Sequence, residues 1–263
     1  MGILNVTPDS FSDGGQFDKT KPAVKHALDM MYEGADIIDV GGESTRPGSE
    51  RVNADEQIFR VVETIKLIRD IALEEVEISI DTTLSEVAEA AIDVGASIIN
   101  DVSAGTDDPL IFELAADKNL PIILMHMQGS PQTMQLKPVY EDVVEDIRAY
   151  LLERAEKAIA AGIKEDNIAI DPGIGFGKTQ EHNMQLMSNL DRFVDTGLPV
   201  LLGASRKRFM GAICEGVESE ELVGATCATT VAGVNAGVQM FRVHDVRPNR
   251  QAADVAWAIK NAV

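Results

Sequence analysis

The segment DIIDVGGESTRPG, Asp36–Gly48, joins a short apolar run to a loop rich in glycine, serine and proline. The run is rich in β-branched residues and too short for a core helix, so it predicts a buried strand that ends near Asp39. The same unit, a short apolar run followed by polar residues, recurs along the whole chain. This recurrence predicts the fold.

Eight such runs alternate with longer amphipathic stretches, among them residues 21–35, 54–72, 84–96 and 140–162. The runs are GILNV, DIIDV, VEISI, SIIN, PIILMHM, NIAI, PVLLGAS and MFRVHDV. Strands that are buried on both faces and separated by helices are typical of a parallel sheet. The pattern therefore predicts an α/β fold, a single-domain (β/α)8 TIM barrel over residues 1–263. A doubly wound open sheet remains the alternative, because a sequence does not show closure.

Composition narrows the class of protein. The chain has 263 residues, of which 45% are hydrophobic, and a formal net charge of -20. Such acidity argues against a nucleic-acid-binding protein and against adhesion to anionic membranes. No apolar run approaches the roughly 18 residues of a membrane span. The two cysteines indicate neither a disulfide framework nor a cysteine-based zinc site, so a cytoplasmic location is expected.

Polar side chains follow the apolar part of every predicted strand. They are Asn5, Asp39, Asp81, Asn100, Asp101, His126, Asp171, Ser205, Lys207, Arg242 and His244. Any one of them alone is explained by a helix cap or a turn. The carboxyl ends of barrel strands converge on one mouth, however, so the set predicts a site there.

The chemistry of these groups suggests a ligand with two unlike ends. Three carboxylates and an amide are expected at this mouth, namely Asp81, Asn100, Asp101 and Asp171. Where water is partly excluded, such groups need hydrogen-bond donors, and a flat heterocycle rich in N–H groups would supply them. A cationic group suits a phosphate or pyrophosphate; its members are Arg46, Lys207, Arg242 and His244. Asn5 could hold a Mg²⁺ ion that neutralises the anion.

The segment DPGIGFGKT, Asp171–Thr179, looks like a phosphate-binding loop but fails that motif by one residue. The loop needs GxxxxGK followed by serine or threonine, and the position five before Gly177 is Pro172, which has no N–H. A dinucleotide fingerprint fails too, since Lys178 stands where the third glycine belongs. We expect a turn of small residues, and we interpret His126 as a satisfied barrel residue.

Longer motifs carry a family likeness. They are MGILNVTPDSFSDGG, DVGGESTRPG, SIDTT, IINDVSAG, MHMQGSP, DPGIGFGKT, GASRKRFMG and RVHDV. In this order, and over essentially the whole chain, the sequence resembles the dihydropteroate synthase family, the folate-pathway enzymes that sulfonamides target. The resemblance implies a TIM barrel, usually homodimeric. It also implies a Mg²⁺-dependent condensation of 6-hydroxymethyl-7,8-dihydropterin pyrophosphate with 4-aminobenzoate, which releases pyrophosphate.

The resemblance also implies residue roles. The pterin would be held by Asp81, Asn100, Met125, Asp171, Phe176, Gly203 and Lys207. The pyrophosphate and its metal would be held by Asn5, Arg242 and His244, with Asn5 as the metal ligand. The 4-aminobenzoate would be framed by Phe11, Thr45, Arg46, Pro47, Ser205 and Lys207, with Phe176 beside it. Catalysis would fall to Asp81, Asp13, Lys207, Arg242 and His244, and pyrophosphate would leave before the amine attacks.

Two other readings stay open at this point. A non-catalytic pterin-binding protein would keep the pterin carboxylates but could lose the anion cluster, which this chain retains. A barrel like the methyltetrahydrofolate–corrinoid methyltransferases would lack the SRK turn and the RVHDV ending, and both are present. Members of the resembled family generally have further residues before this first strand, so apolar area is expected to be exposed at the barrel floor.

Overall fold

The computed structural model describes residues 1–6, 16–44, 48–72, 76–130 and 132–262, without the side chains of residues 16–19. Within these ranges strands and helices alternate as the sequence predicts. The strands are β1 Gly2–Asn5, β2 Ile37–Gly41, β3 Glu77–Asp81, β4 Ile98–Asp101, β5 Ile122–Met125, β6 Ile168–Asp171, β7 Leu201–Leu202 and β8 Met240–Phe241. The helices are α1 Gln16–Tyr32, α2 Ala54–Ala72, α3 Ser85–Asp93, α4 Leu110–Lys118, α5 Val143–Ala160, α6 Gln180–Ser188, α7 Asp191–Val194, α8 Arg208–Ile213, α9 Val223–Ala236 and α10 Val246–Lys260.

The strands close into a barrel. Strands β1 to β6 pair in chain order and in parallel, and β7 pairs with β8. Single parallel bridges join the two sheets, one between Ile170 and Val200 and one between Gly2 and Val243. The Ile3 N–H donates to the Val243 carbonyl at 3.0 Å, which seals the last strand to the first. The closed barrel is confirmed, and the open-sheet alternative is wrong.

Alternate residues of each strand face opposite sides of the barrel wall. Outward residues such as Leu4, Val40 and Ile80 are fully buried in the main core between strands and helices. Inward residues form a separate apolar cluster at the floor, made of Ile98, Ile123, Ala169, Leu201 and Met240 with Met1 beside them. Two positions further along the same strands come Asn100, Met125, Asp171, Gly203 and Arg242. On strands β4 to β8 the inside of the barrel is therefore apolar at its floor, and the polar side chains lie at its mouth.

The strand bounds differ from the predicted ones mainly at the end of the chain. The runs PVLLGAS and MFRVHDV each give a regular strand of only two residues. The polar residues after Leu202 and Phe241 leave the regular ladder and build the mouth instead. Helix α2 covers the predicted residues 54–72. None of the helices in the described ranges is long and apolar enough to cross a membrane.

Candidate active site

Four residues on neighbouring strands lie in one row at the mouth. Asn5 pairs with Gly41, Gly41 with Asp81, and Asp81 with Asn100. Gly41 leaves room in this row, because a Cβ atom there would lie 3.4 Å from the Asp81 Cβ and 3.7 Å from the Asn5 Oδ1. A Cβ atom there would reach ordinary van der Waals contact with both side chains, so glycine keeps the space between the amide and the carboxylate open.

Asp39, two positions before Gly41, is the centre of the polar layer inside the barrel. Its carboxylate is fully buried. It accepts hydrogen bonds from the Arg242 Nε at 2.6 Å and from the Asn100 Nδ2 at 3.2 Å, and a further one from the Ser79 hydroxyl. A buried carboxylate is stable only when it is paired and hydrogen-bonded in this way. Asp39 therefore fixes the orientation of two side chains that were predicted to meet the ligand.

Arg242 connects the two halves of the predicted site. Its Nη2 donates to the Asp81 Oδ2 at 2.7 Å, while its Nε holds Asp39. Burial raises the pKa of Asp81 to about 7, and the nearby Arg242 opposes that rise. Burial also works against the charge of Arg242, but Asp39 and Asp81 raise its pKa above the usual range, so the guanidinium stays charged.

Asp171 ends β6 and is buried at the mouth. Its Oδ1 accepts a hydrogen bond from the Gly173 N–H at 2.7 Å. A Cβ on Gly203 would stand 3.4 Å from its other oxygen, so a small residue there leaves space beside the carboxylate. Burial raises the pKa of Asp171 to about 6, an effect that Gly173, Lys207 and Lys178 limit. Asp171 is thus ionised at neutral pH.

An apolar wall stands next to these carboxylates. Met125 and Phe176 are buried in one small cluster with Val102 and Met134. The Lys207 Nζ lies 4.0 Å from the centre of the Phe176 ring, within the range of a cation–π contact. The arrangement can hold a flat ring between apolar surface and charged groups. It brings together the Met125, Phe176 and Lys207 that the resemblance assigned to the substrates.

Ser205 and His244 form a pair on the loops after β7 and β8. The Ser205 Oγ lies 3.0 Å from the His244 Nδ1 and accepts the His244 backbone N–H at 3.1 Å. Burial, followed by the positive charges of Arg206 and Arg242, lowers the pKa of His244 to about 3. This corrects the expectation of a cationic His244: the half-buried imidazole is neutral in this arrangement and can donate or accept hydrogen bonds.

The glycine-rich turn after Asp171 packs backbone against backbone. Gly173 and Gly177 have φ values of 68° and 64°, a region that disfavours residues with a Cβ. A Cβ on Gly173 would collide with the His126 carbonyl oxygen, and one on Gly177 would lie 2.5 Å from that of Gln128. The turn therefore needs glycine to pack against the end of β5, and the interpretation as a small-residue turn is confirmed.

Asp101 and His126 both bond to protein groups near the mouth. The Asp101 carboxylate accepts hydrogen bonds from the Ser103 N–H, the Ser103 hydroxyl and the Gly105 N–H. Asp101 stabilises its own turn, and the prediction that its carboxylate binds the ligand was wrong. His126 is buried and bonded to Lys178, which confirms its interpretation as a satisfied barrel residue.

A cleft of about 730 Å³ opens over this mouth; its lining includes Asn5, Phe176, Gly203, Ser205, Lys207, Arg242 and His244. Five predicted site residues, Phe11, Asp13, Thr45, Arg46 and Pro47, lie outside the described residues. Sequence reasoning missed the roles of Asp39 and Lys178. It also missed a two-bond ion pair between Arg206 and Asp245, which joins the loops after β7 and β8. The position of Asp39 at a strand end was the available signal for the first; only the fold reveals the others.

Comparison with known proteins agrees with this geometry. The model of the family described as "Pterin binding enzyme" matches residues 1–244. Dihydropteroate synthase of Streptococcus pyogenes serotype M6 is 47% identical over 256 residues, which span 97% of this chain and 93% of that protein.

Solved structures agree as well. The chain is similar to Xanthomonas albilineans dihydropteroate synthase with 4-aminobenzoic acid, with a TM-score of 0.93 and 41% identity over 100% of this chain and 93% of that one. Yersinia pestis dihydropteroate synthase in a sulfonamide drug complex gives a TM-score of 0.92 at 40% identity, over 100% of this chain and 94% of the other.

Proposed function

Because this chain belongs to the pterin-binding enzyme family, among the dihydropteroate synthases, we propose how its mouth residues divide the reaction of that family. The enzyme is a transferase that condenses 6-hydroxymethyl-7,8-dihydropterin pyrophosphate with 4-aminobenzoate to give 7,8-dihydropteroate and pyrophosphate. The relatives support this activity rather than that of a non-catalytic pterin carrier or a corrinoid-dependent methyltransferase. One observation carries the proposed roles. Arg242 donates a hydrogen bond to the Asp81 carboxylate and also lines the open cleft.

The acceptor side binds the pterin. An ionised Asp171 accepts two parallel hydrogen bonds from the ring N–H and the neighbouring amino group, the pairing that a carboxylate makes with a guanidine-like edge. Asp81 and Asn100 accept and donate on the remaining edge of the ring. Met125 packs against its face. Asp39 does not touch the ligand, because it is fully buried behind Asn100 and Arg242.

The cationic side binds pyrophosphate. Arg242 is charged and faces the cleft, and His244 adds a neutral N–H donor when the Ser205 hydroxyl donates to its Nδ1. Such donors stabilise the leaving group as negative charge develops on it. The carboxylate of Asp81, and that of Asp13, would favour the pterin cation that forms if the C–O bond breaks first. We therefore keep the order in which pyrophosphate leaves before the amine attacks.

Mg²⁺ fits the donor chemistry at this end. The Asn5 Oδ1 and the Asp81 Oδ2 both face the space beside Gly41, and hard oxygen donors suit Mg²⁺, which usually keeps water and phosphate oxygens as further ligands. In the described part of the chain no three His, Cys, Asp or Glu side chains cluster to hold a metal. We propose Asn5 as a protein ligand, with pyrophosphate oxygens completing the site. The ion, when bound, neutralises charge on the leaving group.

The remaining part of the cleft takes 4-aminobenzoate. Phe176 offers the face of its ring and Lys207 a positive charge for the carboxylate, with Ser205 as a further donor. Phe11, Thr45, Arg46 and Pro47 complete this end in the proposal. No strong general base is required, because an aromatic amine attacks a carbon that is already electrophilic.

We infer a homodimer in the cytoplasm, with no nucleic acid or membrane as partner. Exposed apolar side chains on α9 and α10 support the dimer: Val231, Val255 and Ile259 are all more than a third exposed, and Val255 and Ile259 share one helix face. Trp257, also on α10, is 62% exposed, which leaves its indole available for contact with a second subunit.

The experiment is a turnover assay. Purified protein is mixed with the dihydropterin pyrophosphate, Mg²⁺ and 4-aminobenzoate, and dihydropteroate and pyrophosphate are both followed. Lys207→Ala is expected to lower kcat/KM by at least about 100-fold, whereas the exposed Lys164→Ala is expected to behave like the parent protein. Equal activity of the Lys207 variant and the parent would refute the proposed roles, and dihydropteroate without pyrophosphate would refute the reaction.

A further inference from the structure

Lys178, in the glycine-rich turn, is a buried lysine that the reaction leaves without a role. It is only 3% exposed. Its Nζ lies 2.9 Å from the Phe176 carbonyl oxygen, 3.0 Å from the His126 Nδ1 and 3.3 Å from the His126 carbonyl oxygen. Burial lowers the pKa of Lys178 well below its usual range, and the nearby Asp171 opposes that shift. In its charged form the side chain has three N–H donors, and these three acceptors would use all of them.

The His126 ring is able to act as one of the acceptors. Burial, and next the charge of Lys178, lowers its pKa to about 3, so the imidazole is neutral and its Nδ1 can carry a lone pair. Tyr150 packs edge-on against the same ring at 4.9 Å between ring centres, which holds it in place. Lys178 is therefore enclosed by a fixed set of partners and is not a mobile side chain.

These bonds join two separate segments of the mouth. His126 follows β5, whereas Phe176 belongs to the turn after β6. The same two segments press together where Gly173 meets the His126 carbonyl. A buried amine without hydrogen-bond partners is costly in either protonation state, so the lysine and its acceptors hold one another in a single arrangement. Lys178 thus ties the turn to the end of β5.

The bond between Lys178 and Phe176 affects the shape of the cleft. The Phe176 carbonyl is bonded to Lys178, and the Phe176 ring stands 4.0 Å from the Lys207 Nζ. Both Phe176 and Lys207 line the open cleft. A shift of the Phe176 backbone would move its ring away from Lys207 and out of the surface that a second flat substrate would contact.

We propose that Lys178 is a positioning residue that sets the Phe176 ring at the 4-aminobenzoate end of the cleft. This inference rests on the proposed function, which assigns that end to 4-aminobenzoate. Lys178 also borders the cleft, but its Nζ is bonded to protein acceptors, so it acts through Phe176.

The test compares Lys178→Met with a matched surface change, Lys157→Met, which removes an exposed ion pair with Glu153. In the full enzyme with saturating pterin substrate and Mg²⁺, Lys178→Met is expected to raise the KM for 4-aminobenzoate about tenfold and to lower kcat by less than about threefold. Lys157→Met should leave both unchanged. A residue that merely helped folding would reduce the active fraction, which lowers apparent kcat at constant KM, and an unchanged KM overturns the inference.

A second pair of variants covers the case in which Lys178→Met does not fold. His126→Leu removes the Nδ1 acceptor, whereas the Oδ1 of His126→Asn can replace it. The KM for 4-aminobenzoate is expected to rise about threefold in the first and to stay at the parent value in the second; equal KM values in the two overturn the inference.

Phe176→Ala separates this inference from the proposed function. If it raises the KM for 4-aminobenzoate while Lys178→Met and His126→Leu do not, the role of Lys178 is wrong and the site assignment stands. If none of the variants changes that KM, the assignment of this end of the cleft is itself wrong.

Discussion

The carboxylate of Asp39 and the guanidinium of Arg242 lie 203 positions apart in the sequence and are joined by an ion pair of 2.6 Å inside the barrel. The carboxylate is completely buried, and the Arg242 side chain is 19% exposed toward the cleft. The buried carboxylate of Asp39 therefore holds the guanidinium of Arg242 in place at the surface of the cleft.

Asp39→Ala is expected to lower the free energy of unfolding by about 3 kcal/mol, because it leaves a buried guanidinium and the Asn100 amide without their shared partner. Urea denaturation measures this. The control is Asp93→Ala, which breaks an exposed pair with Lys118 and should cause no measurable change. A loss no larger than that of the control would mean that Asp39 does not anchor Arg242.

The buried carboxylates Asp81 and Asp171 predict opposite effects of pH on stability and on ligand affinity. Burial raises their pKa values from 3.8 to about 7 and about 6. Between these values and 3.8 the folded protein binds more protons than the unfolded chain, so the stability they contribute is complete below about pH 3.8 and is lost as pH rises through 6 to 7. Pterin binding needs the ionised forms and should weaken as pH falls through the same window.

The two effects can be measured separately. Calorimetric titrations of 6-hydroxymethylpterin from pH 8 to pH 5 give the affinity, and Asp171→Asn should remove the part of the pH dependence due to that residue. Denaturation of parent and variant over the same range gives the stability difference. A pterin affinity that is constant down to pH 5 would contradict the ionised-carboxylate account.

Glycine is required at Gly173 for two reasons, a positive φ and contact with the His126 carbonyl. Gly197→Ala is the matched control, since Gly197 has a φ of 85° but no atom within 4 Å of an added Cβ. Gly197→Ala should cost about 1 kcal/mol from backbone strain alone, and Gly173→Ala about 3 kcal/mol or more because the turn must also move. Equal losses in thermal unfolding would show that the backbone contact is unimportant.

The ion pair of Arg206 with Asp245 predicts a loss of activity without a large loss of stability. Two bonds, of 2.9 and 2.6 Å, hold the loops that carry Lys207 and His244. Lysine cannot make two parallel bonds, so Arg206→Lys should lower kcat/KM about tenfold. Arg250→Lys, in an exposed pair with Asp254, should leave kcat/KM unchanged. Similar kinetics for both variants would show that the pair does not order the site.

Much of this molecule follows from the sequence. Strand alternation and polar strand ends predicted the barrel and the convergence of Asp81, Asn100, Asp171 and Arg242. The role of Asp39 was not predictable, because its partner is a residue from the other end of the chain. Lys178 was hidden by its likeness to a phosphate-loop lysine, and the neutrality of His244 depends on burial that only the folded chain creates.

The central claim is that the Asp171 carboxylate binds the pterin ring. The most direct test is the affinity of the protein for 6-hydroxymethylpterin, which lacks the pyrophosphate. Asp171→Asn replaces an acceptor by a donor on one side and should weaken binding by at least about 100-fold, whereas the exposed Asp166→Asn should bind like the parent protein. An Asp171→Asn variant that is folded and binds 6-hydroxymethylpterin as tightly as the parent would contradict the account.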